Sequence, residues 1–170
     1  GSPFAAGATP STVVVDPSGQ FALAANSGSD NVSVYTINSA TGALTVVHNP
    51  DPLTPNFFPA GTTPQTVTIH PSGSFVYVAN AGSGNVTAYT LDQLSGVLTQ
   101  VAGSPFTTGG TNPQRVTIDS AGNFAFVSNK NSDTIAVYSI NQTTGVLTPV
   151  TGSPFPTGAA PEQATTAGTF

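Results

Sequence analysis

The feature that most constrains this chain is a stretch it contains three times over. "PSGQFALAAN" at 17–26 returns as "PSGSFVYVAN" at 71–80 and again as "SAGNFAFVSN" at 120–129. The copies extend well beyond these ten residues: the first runs from Gly1 to Val47, the second from Phe57 to Val101 and the third from Gly103 to Val150. A fourth opens with "GSPFPTGAAPEQATTAGTF" at 152–170. Anchor prolines Pro10, Pro64, Pro113 and Pro161 are spaced 54, 49 and 48 residues apart, and the longer first interval is explained by a Pro-rich insertion, "NPDPLTPN", at 49–56. A self-similar period of this length marks a supersecondary unit that cannot bury its apolar face alone and must stack on its neighbours.

Within each copy the apolar residues alternate or run in short stretches between turn signals, which is the pattern of strands. In the second copy the strands are expected at about 65–70, 74–80, 86–91 and 97–102, with turns at Pro71-Ser72-Gly73, at "AGSGN" 81–85 and at "QLSG" 93–96. On the second of these strands Phe75, Tyr77 and Ala79 face one side while Val76 and Val78 face the other, because side chains alternate across a strand. Both faces are apolar, so the sheet has to lie between two other sheets. Four-stranded antiparallel sheets repeated at this period around an axis form a β-propeller. The fold class is therefore all-β, with three four-stranded blades and the start of a fourth: blade 1 at about 1–48, the insertion at 49–56, blade 2 at about 57–102, blade 3 at about 103–151, and a partial blade or arm at 152–170.

The residues "FVYVAN", "FALAAN" and "FAFVSN" resemble the YVTN-type propeller repeat. "TGVLTPVTGSPF" at 144–155 resembles the blade junction of the lactonase-like seven-bladed propeller family. The resemblance covers essentially the whole chain. It implies the fold more sharply than a function, since such repeats occur in sugar-lactone hydrolases, in surface-layer proteins and in other secreted proteins. Catalytic members of the lactonase-like family are expected to gather His, Arg and acidic side chains beside the innermost strand, and no repeat here carries that set. The residues after the anchor prolines are Ser11-Thr12, Gln65-Thr66, Gln114-Arg115 and Glu162-Gln163, neutral apart from Arg115 and Glu162.

Composition narrows the function classes. Charged residues make up only 5% of the chain, against about 25% in a typical domain, and the net charge is −5. With two bases in 170 residues there is no basic surface to neutralise a phosphate backbone, which argues against nucleic acid. No apolar run is long enough to span a bilayer as a helix. The absence of Cys removes disulfide evidence for secretion, and the absence of Met reads as a processed product or a fragment. A nearly uncharged Ser- and Thr-rich surface suits an extracellular or cell-surface protein.

Lactone hydrolysis needs a base or nucleophile and a group to stabilise the oxyanion. The candidates are few. His70 stands where the other copies have Asp16 and Asp119, the place of a turn residue bonding nearby backbone, and His48 opens the insertion as a solvated side chain. Asn26, Asn80 and Asn129 end the second strand of each blade, where an amide can close the following loop on backbone groups. Asp30 and Asp133 offer too few charged oxygens for a hard cation. Tyr35, Tyr89 and Tyr138 recur at the blade period and are expected to pack blade on blade. Asn31, Asn85 and Asn141 satisfy the glycosylation sequon, an ordinary coincidence in a chain so rich in Asn, Ser and Thr. No residue is assigned as catalytic, cofactor-binding or metal-ligating, and no cofactor is expected.

Three blades leave two apolar end faces uncovered, which soluble monomers seldom tolerate. They would be covered by missing blades of a longer chain or by further copies of this one, in a closed ring or a filament, with the 152–170 arm adding as a strand to a neighbour. The expectation from sequence is a non-catalytic, extracellular structural protein acting through self-association. The alternatives are a carbohydrate- or small-ligand-binding propeller and, beyond it, a fragment of a lactonase-like hydrolase.

Overall fold

A computed structural model describes residues 3–54 and 56–162. Every regular element among them is a strand. The first sheet comprises β1 (Pro10–Val15), β2 (Phe21–Asn26), β3 (Asn31–Ile37) and β4 (Leu44–Val46), in that order, with β5 (Phe58–Pro59) added to β3 beyond β4. The second repeats this with β6 (Pro64–Ile69), β7 (Phe75–Asn80), β8 (Asn85–Leu91), β9 (Leu98–Gln100) and β10 (Phe106–Thr107). The third repeats it with β11 (Pro113–Ile118), β12 (Phe124–Asn129), β13 (Thr134–Ile140), β14 (Leu147–Pro149) and β15 (Phe155–Pro156). All pairings are antiparallel.

Successive blades meet along their first strands: β6 lies between β1 and β11, and it also packs on β2. The sheets therefore radiate from a common inner edge. Side-chain alternation on β7 follows the sequence pattern. Phe75, Tyr77 and Ala79 join the core shared with the third sheet, through Val116, Ala125 and Val127. Val76 and Val78 join the core shared with the first, through Phe21, Leu23 and Val34. Each inner strand carries a register shift two residues in, between Pro10 and Thr12, Pro64 and Thr66, and Pro113 and Arg115.

The short strands β5, β10 and β15 are the feature that sequence did not show. Each belongs by hydrogen bonding to the blade behind it while leading the chain into the blade ahead, so Phe58–Pro59 and Phe106–Thr107, expected at the start of blades 2 and 3, complete the outer edge of the preceding sheet. The expected arm at 152–170 is placed differently as well. Phe155 and Pro156 pair with Ile135 and Thr134 of the same chain, so this part of it is a fifth strand of the third blade; residues 163–170 lie outside the described residues.

Candidate functional site along the inner strands

The exposed edges of β1, β6 and β11 border a cleft of about 550 Å³, lined by Thr12, Val14, Thr66, Thr68, Arg115 and Thr117 among others. What holds its wall is a hydroxyl clip. The Thr12 hydroxyl accepts a hydrogen bond from the Val67 N–H at 3.2 Å and donates to the Gln65 carbonyl at 3.4 Å. One blade on, the Thr66 hydroxyl does the same with the Val116 N–H at 3.3 Å and the Gln114 carbonyl at 3.2 Å. Thr68 adds a bond to the Val116 carbonyl at 2.7 Å, and Ser11 one to the Pro64 carbonyl at 2.9 Å. Neighbouring inner strands share no backbone ladder, and these side chains stand in for one.

Arg115 occupies the clip position in the third blade and is exposed beside the cleft, the single charged residue of its lining among the described residues. The other cation, Lys130, is paired with Glu162 at 2.8 Å. The lysine lowers the Glu162 carboxyl below its ordinary value, through a hydrogen bond first and its charge second. Sequence brought Arg115 and Glu162 forward on their place after the anchor proline; the structure puts only Arg115 on the cleft.

The remaining candidates are held elsewhere. Asp16 lies in the turn at the far end of β1. Its carboxylate accepts from the Ser18 hydroxyl, from the Ser18 N–H at 3.0 Å and from the Phe21 N–H at 2.6 Å. Burial pushes this carboxyl up, but the Ser18 hydroxyl and the backbone N–H groups outweigh it and leave it below the ordinary value. His70, buried, fills the same place in the second blade. Its Nδ1 accepts from the Ser72 N–H at 3.1 Å, as a turn residue should, while Nε2 lies 2.9 Å from the Gly122 carbonyl in the next blade. That second bond comes from a residue 52 positions away and has no signal in the local sequence. His48 is exposed, with Nδ1 2.9 Å from the Asn56 side chain.

Asn26, Asn80 and Asn129 are fully buried, and their partners are side chains where backbone groups were expected. Asn26 donates to Asn31 at 2.8 Å and to Ser33 at 2.9 Å, Asn80 to Asn85 and Thr87 at 2.8 Å each, and Asn129 to Thr134 at 3.2 Å. The linker into each inner strand presses a glycine onto this amide: a Cβ on Gly61 would lie 2.8 Å from the Asn80 amide carbon. These asparagines bond the second strand to the third within a blade, with the linker glycine packed against them, and line none of the described clefts. Asp30 and Asp133 cross a junction, accepting from the Thr63 N–H at 2.8 Å and the Ala160 N–H at 2.6 Å. Both donating residues, Thr63 and Ala160, have positive φ, at 53° and 52°, a backbone state that such a bond helps to hold. No group of three or more His, Asp or Glu among the described residues could hold a metal ion. The tyrosines donate to linker carbonyls: Tyr35 to Ala5 at 2.6 Å, Tyr89 to Pro59, and Tyr138 to Thr107 at 2.5 Å. Burial raises the Tyr138 phenol to about 12, so it stays protonated.

A sheet array radiating from clipped inner strands, with a cleft along their edges, defines a propeller with a channel-side site. The family model described as "Lactonase, 7-bladed beta-propeller" matches residues 3–59 and 51–160, and the chain belongs to this family. Over 90 residues it is 32% identical to a 6-phosphogluconolactonase of Formosa agariphila, a match that covers 51% of this chain and 23% of that protein. A crystal structure from Bacteroides fragilis, provisionally assigned as a 6-phosphogluconolactonase, superposes with a TM-score of 0.78 at 22% identity, covering 94% of this chain and 42% of its own. The periplasmic gluconolactonase of Pseudomonas aeruginosa gives a TM-score of 0.69 at 24% identity, over 85% of this chain and 40% of its own. The chain thus spans about two fifths of the length of these structures.

These findings overturn the expectation of a non-catalytic, self-associating structural protein. The family is one of lactonases, and the curated relative is an enzyme of that kind. The physical reason for the miss is that the scarcity of acids and bases was read from three inner strands, while the family to which the chain belongs is described as seven-bladed.

Proposed function

We propose that these three blades form one arc of a seven-bladed lactonase, which opens the ring ester of a sugar lactone in its central channel. The observation that carries this is the family match across the blades together with the cleft along their inner strands. In the reaction a water oxygen bonds to the lactone carbonyl carbon, the tetrahedral oxyanion forms, and the ring C–O bond breaks to give the hydroxy acid. Arg115 is the group in this arc that can face developing negative charge, and its permanently charged guanidinium suits the oxyanion or an anionic substituent. Thr12 and Thr66 fix the spacing of the wall that carries it. The blades that complete the ring supply the base that activates water, since neither a His nor a carboxylate lines this cleft.

The test is turnover of gluconolactone and 6-phosphogluconolactone by the purified seven-bladed protein that holds these three blades, followed as acid release at constant pH. Hydrolysis above the buffer rate is expected, with Arg115→Met lowering kcat/KM about 10²- to 10³-fold. No hydrolysis of either lactone, or an R115M variant as active as the parent, would overturn the proposal.

A further inference from the structure

The first junction departs from the other two at its insertion. Residues 48–57 join Val47 to Phe58, where 102–105 join Val101 to Phe106 and 151–154 join Val150 to Phe155. The longer linker is held by its own side chains. Asn49 Nδ2 donates to the Thr54 hydroxyl at 3.0 Å and to the Phe57 carbonyl at 2.9 Å, and Asn49 Oδ1 accepts from the Asp51 N–H at 3.1 Å. Asp51 in turn accepts from the Leu53 N–H at 2.9 Å. Between this linker and the turn from β2 to β3 lies a pocket of about 290 Å³, walled by Leu53, Thr54 and Phe57 from the insertion and by Ser29, Asp30 and Asn31 from the turn, among others. We propose that this pocket binds a neutral pyranose unit at the outer edge of the first blade, apart from the channel.

A pyranose presents hydroxyls that both donate and accept, and ring faces of C–H bonds that are apolar. The pocket has a counterpart for each. Ser29, Asp30 and Asn31 each commit one atom to the fold: Ser29 Oγ accepts from the Ala8 N–H, Asp30 Oδ1 from the Thr63 N–H and Asn31 Oδ1 from the Asn26 amide, all at 2.8 Å. Among the contacts described, the Ser29 hydroxyl proton, the second Asp30 oxygen and the Asn31 NH₂ are left over. Three successive residues thus offer donor, acceptor and donor, already fixed in place by the bonds they make to the protein. The insertion supplies the apolar wall. Leu53 is 88% exposed and Phe57 half-buried, and the C–H face of a sugar ring stacked on them takes both out of water. Asp30 is the one charged residue in the described lining, so a sugar carrying a carboxylate or phosphate is repelled and a neutral one is not.

The other junctions lack one part or another of this set. At the same turn blade 2 has Ser83-Gly84-Asn85, without the acid, and blade 3 has Ser132-Asp133-Thr134, without the amide. Their linkers place Pro105 and Pro154 where the first has Phe57. The full polar triplet and the apolar insertion occur together at one junction. No residue of this pocket lines the cleft along the inner strands, and methyl glycosides have no ring ester to open, so the outcome below is independent of lactone hydrolysis.

The experiment titrates the seven-bladed protein that holds these blades with methyl β-glucopyranoside, methyl β-galactopyranoside and methyl α-mannopyranoside, and with glucuronate as the anionic control. NMR follows the Leu53 methyl signals and the saturation transferred from protein to sugar. At least one glycoside is expected to shift the Leu53 methyls saturably in the millimolar range, and glucuronate to leave them in place. Asp30→Asn keeps an oxygen to accept from Thr63 and removes the charge; it should weaken binding about tenfold. Replacing residues 48–57 by Ala-Gly-Ser-Pro, the linker that already joins Val101 to Phe106, should preserve cooperative unfolding and abolish the saturation transfer. Leu53 methyls that respond to none of the three glycosides overturn the proposal. So does glucuronate binding as tightly as the best glycoside, or saturation transfer undiminished by the linker swap. If the swapped chain does not unfold cooperatively, Leu53→Ser, at an exposed side chain, is read in its place, and an unweakened Kd for the best glycoside overturns the proposal.

Discussion

Blade 2 and blade 1 are written in nearly the same sequence and live in different surroundings. Val78 of the second blade is fully buried against the first, and Tyr77, two-faced opposite, is fully buried against the third. In the first blade Leu23 and Val34 are equally buried on the side of blade 2, while Ala22, Ala24 and Tyr35 form a small cluster of their own on the other. The difference teaches that a blade's core is not a property of the blade. Most of the stabilisation from burying its apolar faces arises at junctions, and one repeat in isolation has half of its packing missing.

The sharpest way to test that contrast is to cut into a junction and into the bare face by the same kind of change. Leu23→Ala, at the covered face, should cost about 2–5 kcal/mol in denaturant unfolding. Val13→Ala, at the bare face, should stay within about 0.5 kcal/mol of the parent. Equal effects would mean that the two faces do not differ as described. Next in size come the buried asparagines. Asn80 donates two hydrogen bonds and Asn129 one, because Ala136 stands where the second blade has Thr87. Asn80→Ala should therefore destabilise more than Asn129→Ala, by about 1 kcal/mol, measurable from paired urea titrations.

A smaller effect separates the turn ends of the inner strands. His70 bonds across to Gly122, whereas Asp16 bonds only within its own turn in the contacts described, so His70→Asp keeps a turn residue and removes the crossing bond. A loss of about 1 kcal/mol is expected by thermal unfolding near neutral pH. The smallest is a pH effect at Asp16. Its folded value lies below the ordinary 3.8, so the stability it contributes is complete above that pH and drains away as pH falls through the lower folded value. Tm measured from pH 6 down to pH 2 should show the parent above Asp16→Asn at the upper end and the gap closing at the lower. A gap that is constant with pH would assign the difference to something other than this carboxylate.

Much of this architecture was legible in the chain. The strands expected at about 65–70 and 74–80 lie at Pro64–Ile69 and Phe75–Asn80, and the split of β7 between two cores follows from alternation alone. The closing dipeptides were not legible, because two residues carry no periodicity and become a strand only through a partner 20 to 28 positions earlier. The same holds for His70, whose turn role is local and whose bond to Gly122 is not. At the cleft, the break from Thr12 and Thr66 to Arg115 was visible in the repeat, but the clip that gives the break its meaning needed the geometry. Function was misread for a different reason: scarcity of charge was taken as a property of the whole protein, when it describes three blades of a seven-bladed family.

The linkers carry a consequence for the chain as it leaves the ribosome. Phe58 and Pro59 close the first sheet but lie beyond the insertion, and Phe106 and Thr107 close the second only after its fourth strand has been made. A nascent blade therefore waits, one strand short, until the start of its successor has emerged. Synthesis and folding run out of step by one linker, and the growing end always holds an unsealed edge that the next few residues are built to cover.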